Sequence, residues 1–365
     1  MIKKIFKSLY KTLIQIVFKL FYGKICLPRS SDNLLKRIKI NNTNFKSYKN
    51  KDYYLYIVKN GRIFTDNNEN VAVIKNNFIL PHVSFQQING RLRGTKYNSV
   101  VQKGTPSFVK KIKGKVFNLS QGGSGNNYFH FIFDIIPKIH LLSAKINIKK
   151  IDYFYISEPK KYQIQILKFL GINKNKLLSS DKYKHIFADE IYTVDHPWYE
   201  KGFIQYNVNK IPEWIIHTNR KTFITNFKRE GEKKIFLDRS QSLYNHCQIS
   251  NLQSLNNLIK RKKIKSYNAE KLSFKSQINL LKNSSTVIGA HGAALANILF
   301  CRPKTKIIEI IPSNHPNKQS ERISKILNLK YFRIKTKPVN NDINYPFKIY
   351  LEKKDLRLIE KIIDS

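Results

Sequence analysis

The 365-residue chain has room for about two domains of ordinary size. An apolar fraction of 41%, with 12% aromatics, supplies real cores and excludes wholesale disorder. A formal net charge of +43 points to polyanionic partners, while three scattered cysteines (Cys26, Cys247, Cys301) exclude a disulfide framework and a zinc cluster and suit a reducing cytoplasm.

Abundant Lys, Asn, Ile and Tyr also follow from an AT-rich coding sequence, so charge alone does not choose between nucleic acid, anionic lipid and phosphorylated substrates. The first residues choose more. "MIKKIFKSLYKTLIQIVFKLFYGK" sets Ile2, Ile5, Phe6, Leu9, Leu13, Ile16, Val17 and Leu20 at helical spacing, with Lys3, Lys4, Lys7 and Lys11 between them. Its longest uncharged run, Thr12–Phe18, falls well short of the roughly 20 residues that span a bilayer, and no small-residue cleavage site follows. The pattern predicts a basic amphipathic helix (1–25) on an anionic membrane surface, hence a cytoplasmic protein peripheral to the inner face of the cell membrane. The alternative is an ordinary first helix packed on its own domain.

Residues 26–110 carry only short β-rich runs such as "YYLYIV" and "VAVI" between turn residues. From 115 the reading sharpens: strand "KVFNLS", a glycine hinge, a helix from Asn126 to Leu142, strand "IDYFYIS", helix "KYQIQILKFLGI", strand "EIYTVDH" and a long helix "PEWIIHTNRKTFITNF". The charged "KREGEKK" (228–234) reads as a linker. After it the alternation resumes with "IFLDR", "NLQSLNNLIKRK", "IKSYN", "FKSQINLLKNS", "TVIGA", a helix opened by "HGAALANILF", "KIIEIIP", "SERISKILNL" and "KYFRI". The amphipathic "EKKDLRLIEKIID" closes the chain. Such alternation means parallel sheets covered on both faces. The expected plan is α/β: two Rossmann-like units, 26–228 and 229–340, facing across a cleft, and a last helix over 341–365.

Two stretches carry chemistry. In "QGGSGNNYFHFIFDIIPKIHLL" a glycine hinge enters a nearly all-apolar helix whose Asn127, His130, Asp134 and Lys138 fall within roughly an 80° arc. Pro137 removes the amide that bonds the Phe133 carbonyl, predicting a kink. The hinge lacks the spacing and lysine of a P-loop. Gly123, Gly125, Asn127, His130, Asp134 and Lys138 are the candidate site residues of this stretch, the polar stripe facing a cleft; the competing reading makes His130 and Asp134 a core hydrogen bond. In "STVIGAHGAALANILFCRPKTKIIEIIP" a strand ends at His291, and Gly292, Ala293 and Ala294 open a helix whose first amides favour an anion. Glu309 on the next strand needs a partner, and a ribose diol is one candidate. Tight small-residue packing, with Glu309 paired to a local basic group, is the alternative.

Together these stretches resemble glycosyltransferase family 61, the DUF563-type proteins, many of whose bacterial members are described as capsular polysaccharide biosynthesis proteins. The resemblance covers roughly 115–312 and includes "KIFLDRS", where the family has a strand ending in arginine, here Arg239. It implies a GT-B fold and inverting transfer of a sugar from a nucleotide-sugar donor to a glycan or lipid-linked acceptor, such as a capsule, exopolysaccharide or lipopolysaccharide. It also implies a nucleotide-sugar-binding domain over 229–340 with donor contacts from Arg239, His291, Gly292, Ala293, Ala294 and Glu309, with no cofactor and no essential metal. It further implies an acceptor domain over 26–228 in which Gly123, Gly125, Asn127 and Lys138 contact acceptor or phosphate. The catalytic base it implies there is His130, oriented by Asp134, or Asp134 itself. The chain departs from the family in lacking a second arginine soon after the first. No D-x-D, HExxH or Cys/His cluster suggests a metal. No nucleic-acid-binding signature accompanies the charge. A non-catalytic scaffold of polysaccharide assembly and a basic nucleic-acid-binding protein are the rival functions.

Overall fold

A computed structural model describes residues 2–30, 33–41, 45–66, 70–88, 90–121, 127–200, 202–224, 233–241, 246–339 and 348–365. Gly123, Gly125 and the linker residues 228–232 lie outside them. The chain divides into two compact units, Met1–Trp214 and Ile215–Ser365. The division falls at the start of the Glu213–Phe223 helix rather than at 229. Arg220 of that helix donates to the carbonyls of Leu299 (2.5 Å) and Cys301 (2.6 Å), and Phe223 meets Phe274 and Phe300 edge-on, so the helix belongs to the second unit's core.

The first unit opens with helix α1 (Ile2–Tyr22) and holds strands β1 (Lys36–Lys39), β2 (Tyr54–Thr65), β3 (Asn70–Lys75), β4 (Phe78–Ile79), β5 (Phe85–Ile88), β6 (Arg91–Leu92), β7 (Lys110–Asn118), β8 (Tyr153–Ile156), β9 (Leu177–Ser179), β10 (His185–Val194) and β11 (Gly202–Phe203). They form one mixed sheet, β11-β6-β5-β3-β2-β10-β7-β8-β9, with β1 on β2 and β4 on β3. The β10-β7-β8-β9 part is parallel; everything beyond β2 is antiparallel. Within the parallel part the chain runs outward through β7, β8 and β9, then returns to the other side of β7 as β10. The sheet therefore has a topological switch point between β7 and β10, where α/β sheets leave a crevice at the carboxyl ends of their strands.

The second unit contains β12 (Lys233–Leu237), β13 (Gln248–Ile249), β14 (Lys265–Tyr267), β15 (Ser284–Ala290), β16 (Lys306–Pro312), β17 (Lys330–Pro338) and β18 (Lys348–Tyr350). Their order is β13-β18-β17-β16-β15-β12-β14, parallel from β14 to β17. Its switch point lies between β12 and β15. Strand β16 is buried from Ile307 to Pro312, as expected of a central parallel strand covered on both faces. The closing helix, Lys353–Asp364, is no separate layer: Ile359, Ile362 and Ile363 join the core built on Phe236, Ile288 and Ile308.

Helix α1 is pinned along one side only. Phe18 packs edge-on against Phe108, the Tyr22 hydroxyl accepts from the Val109 amide (3.1 Å), and Lys19 donates to the Gln102 carbonyl (2.9 Å). Phe6, Leu9, Leu13, Ile16 and Leu20, on its other side, stay between 52% and 83% exposed. Among the described residues, no helix is long and apolar enough to cross a membrane.

Candidate functional site

The helix after β7 is not regular. It is α-helical over Tyr128–His130, π-helical over Phe131–Ile135 and α-helical again over Ile136–Ser143. Asn127 caps it, its side-chain oxygen accepting from the amides of Phe129 (2.9 Å) and His130 (3.3 Å). The expected distortion before Pro137 takes the form of a π turn, a feature often found at functional sites. The Phe133 carbonyl that Pro137 cannot serve accepts the indole N–H of Trp198 (2.9 Å), which ties the helix to the segment after β10.

That tie assembles a cluster at the first switch point. Asp134 is fully buried, and its Oδ2 accepts from Gln121 Nε2 (2.9 Å), His130 Nδ1 (3.0 Å) and the Tyr199 hydroxyl (2.9 Å), with His196 Nε2 at 3.7 Å. Its Oδ1 is buried without a hydrogen-bond partner. Burial alone would raise this carboxyl; His130 and His196 outweigh it and hold it well below the ordinary carboxylate range. An ionised Asp134 fixes the His130 proton on Nδ1, so the basic lone pair sits on Nε2. His130 is the partly exposed member of the pair, with 18% of its side chain open against none for Asp134. His196 accepts the Tyr199 amide at Nδ1 (2.9 Å), and burial drives it down to about 4, which keeps it neutral. Lys138 is buried too, and desolvation lowers it to about 8 despite the nearby Asp134 charge.

The second cluster stands at the second switch point. Arg239, just beyond β12, donates through Nη1 to the carbonyls of His246 (3.2 Å) and His291. A Cβ at Gly292 would overlap that guanidinium, so glycine is required there by close approach. His291 follows β15, is 3% exposed, and donates from Nδ1 to Glu309 Oε1 (2.7 Å). Ser320 Oγ (2.9 Å) and the Tyr331 hydroxyl complete the Glu309 shell. Burial would raise Glu309, but His291 and these donors hold it lowered. His246 and His315 crowd His291, with ring centroids 5.8 and 4.3 Å away; burial pushes them down to about 3 and about 2.

Among the described residues, one group offers metal-ligand chemistry: the ligand atoms of His246, Cys247 and His315 lie within 4.8 Å of one another. The tautomers oppose ligation. His315 Nδ1 accepts the Asn317 amide (3.2 Å), which leaves its proton on Nε2, aimed at His246 Nε2 (3.3 Å). The arrangement is a hydrogen-bonded imidazole pair.

Of the residues singled out from sequence, His130 and Asp134 meet as expected, and Arg239, His291 and Gly292 come together. Three expectations change. Asn127, though exposed, serves as the helix cap, and Lys138 lies inside, so the Lys138 side chain is not presented to an acceptor or phosphate. Glu309 is 1% exposed and saturated by internal donors, so it supports His291 instead of holding a ribose. The segment Ala293–Phe300 is a 3-10 helix, its side chains buried from Leu295 to Phe300. Ala293 and Ala294 thus open a tight 3-10 run, not an α-helix, and packing on all sides has overridden helix propensity. Gln121, His196, Trp198 and Tyr199 were missed. The signal for the last three was "DHPWYE", polar and aromatic side chains at the carboxyl end of a parallel strand.

The two clusters, one built on a His–Asp pair and one on arginine with histidines, each stand at the carboxyl ends of parallel strands in an α/β unit. Residues 128–308, about half of the chain, match Glycosyltransferase 61, and the chain belongs to that family. Over 63 residues, 17% of this chain and 12% of the relative, it is 36% identical to a beta-1,2-xylosyltransferase of Oryza sativa subsp. japonica. Over 60 residues, 16% of this chain and 11% of the relative, it is 38% identical to a beta-1,2-xylosyltransferase of Arabidopsis thaliana. The chain thus spans only a small part of the curated relatives it matches. A mutant flavo di-iron protein from Thermotoga maritima aligns over 90% of this chain and 98% of its own at 8% identity; its TM-score of 0.24 establishes no common fold.

Proposed function

We propose that the protein is an inverting, metal-independent glycosyltransferase of GT-B plan, moving a sugar from a nucleotide-sugar donor to a growing surface glycan. The observation that carries this reading is His130: a partly exposed imidazole whose Nδ1 is engaged by a buried, ionised Asp134, leaving Nε2 to take a proton. In this mechanism Nε2 removes the acceptor hydroxyl proton as the oxygen attacks the anomeric carbon and the carbon–phosphate oxygen bond breaks. Asp134 stabilises the imidazolium that forms. Arg239 and the polar groups around His291 receive the departing nucleotide phosphate.

The test is a thermal-shift panel of UDP, GDP, CMP and their sugars, with UDP-xylose included because of the relatives' named activity. A specific nucleotide at about 100 times its Kd stabilises by about 2.7 kcal/mol, a rise of several degrees in Tm. A panel in which no nucleotide raises the Tm sinks the reading.

Helix α1 supports placement on a membrane, at the cytoplasmic face. Its exposed apolar side, with Lys7 and Lys11 alongside, matches a helix lying in the headgroup layer. Deletion of residues 1–22 is expected to release the protein from vesicles containing anionic lipid without changing nucleotide binding. Flotation of the truncated protein with the vesicles to the parental extent would refute the assignment.

A further inference from the structure

The first unit holds an open cleft of about 1300 Å³ that the family segment only partly builds. One wall is His196–Glu200, including the Tyr199 whose hydroxyl touches His130 and Asp134. The other walls come from residues 37–95, outside the segment shared with the family. Aromatic faces line it: Tyr48, Tyr54 and Phe85 beside Trp198 and Tyr199. Such faces suit the C–H surfaces of sugar rings.

The charges in these walls are not balanced by pairing. Each carboxylate is already held: Asp52 by Lys39 (2.6 Å) and Lys46, Glu200 by Lys49 (3.2 Å) and Lys210 (3.4 Å), and Asp195 by the Tyr54 amide (2.7 Å) and the Tyr56 hydroxyl (2.8 Å). Arg37 and Arg93 make no ion pair with any carboxylate among the described residues. Arg37, whose charge acts on Asp195 only at longer range, is instead laid over the Tyr54 ring at 3.5 Å, and Arg93 stands 5.6 Å from the Tyr97 ring without stacking on it. Stacking fixes a guanidinium plane while leaving its N–H fork open to a planar or tetrahedral anion.

We infer that this cleft receives the acceptor glycan, and that Arg37 and Arg93 select acceptors bearing an anionic substituent, a carboxylate or a phosphate. The assignment rests on the transferase reading above and deepens it. Acceptor choice then lies in the antiparallel extension, and the chemistry in the parallel part of the same sheet.

Isothermal titration of the full chain tests this with a hexuronate oligosaccharide, its carboxyl-reduced counterpart, and a neutral oligosaccharide carrying one phosphate monoester. The hexuronate or the phosphate form is expected to bind at least about tenfold more tightly than the reduced form, and the stronger arm identifies the anion. The Arg37→Gln, Arg93→Gln double variant should lose that preference; the charge-preserving Arg37→Lys should keep part of it. Equal binding of all three ligands, or an undiminished preference in the double variant, overturns the inference. UDP titrated into the same samples separates the two claims. Nucleotide binding without anion preference sinks only the cleft assignment, whereas glycan preference without nucleotide binding sinks only the transferase reading.

Discussion

Replacing His130 with alanine is expected to lower turnover by on the order of 10²-fold or more, the usual scale for loss of a general base, with nucleotide affinity unchanged. The residues proposed to hold the donor all belong to the other unit, so they keep their hydrogen bonds. Asp134→Asn should approach the same loss by a different route. Asparagine preserves the volume but not the charge that fixes the Nδ1 proton and stabilises the imidazolium. Asp134 is fully buried and reaches no substrate, so it is a positioning residue. Its signature is a loss in kcat with little change in the affinity for nucleotide. A folded His130→Ala protein transferring sugar at the parental rate would place the base elsewhere. A His130→Ala protein that fails to fold would make the pair a core hydrogen bond.

Glu309→Ala is expected to cost about 3–5 kcal/mol of stability, because it strands His291, Ser320 and Tyr331 around a buried hole. Glu309→Gln keeps the shape and part of the bonding, so it should cost less. Acid separates the two causes. A carboxyl held below its unfolded value contributes stability above that value, near 4.5, and loses it as pH falls toward the folded value. The parent should therefore lose stability below about pH 4.5, and Glu309→Gln should lose less over the same range. Denaturant midpoints for Glu309→Ala within 0.5 kcal/mol of the parent would show that the carboxylate is solvated.

The parallel halves were legible because their strands are continuous apolar runs separated by helical periodicity; "KIIEIIP" and "TVIGA" fall inside β16 and β15. The first hundred residues resisted reading because β4, β5 and β6 are two to four residues long and antiparallel, so period-two alternation has no length in which to appear. The His130–Asp134 pair could be read because both residues lie on one helix. The other half of the cluster could not. Tyr199 and His196 reach Asp134 across more than 60 residues of chain, through the pairing of β7 with β10, which no local pattern encodes. Glu309 misled for a related reason: an ionisable group in an apolar strand needs partners, but sequence does not say whether they come from the fold or from a ligand.

The π turn at Phe131–Ile135 has a consequence for how this gene can vary. A π turn holds one residue more than the α turn it replaces. Loss of the codon for Phe131, Ile132 or Phe133 would let the helix revert to regular winding with Asp134 three residues after His130 instead of four, while the residues beyond the run keep nearly their present faces. His130 lies before the run, and Asp134 sits inside it. Such a length change would therefore alter the His130–Asp134 spacing while leaving both residues present in the sequence. A survey of related chains by motif alone would miss it, whereas counting the residues between the histidine and Pro137 would not.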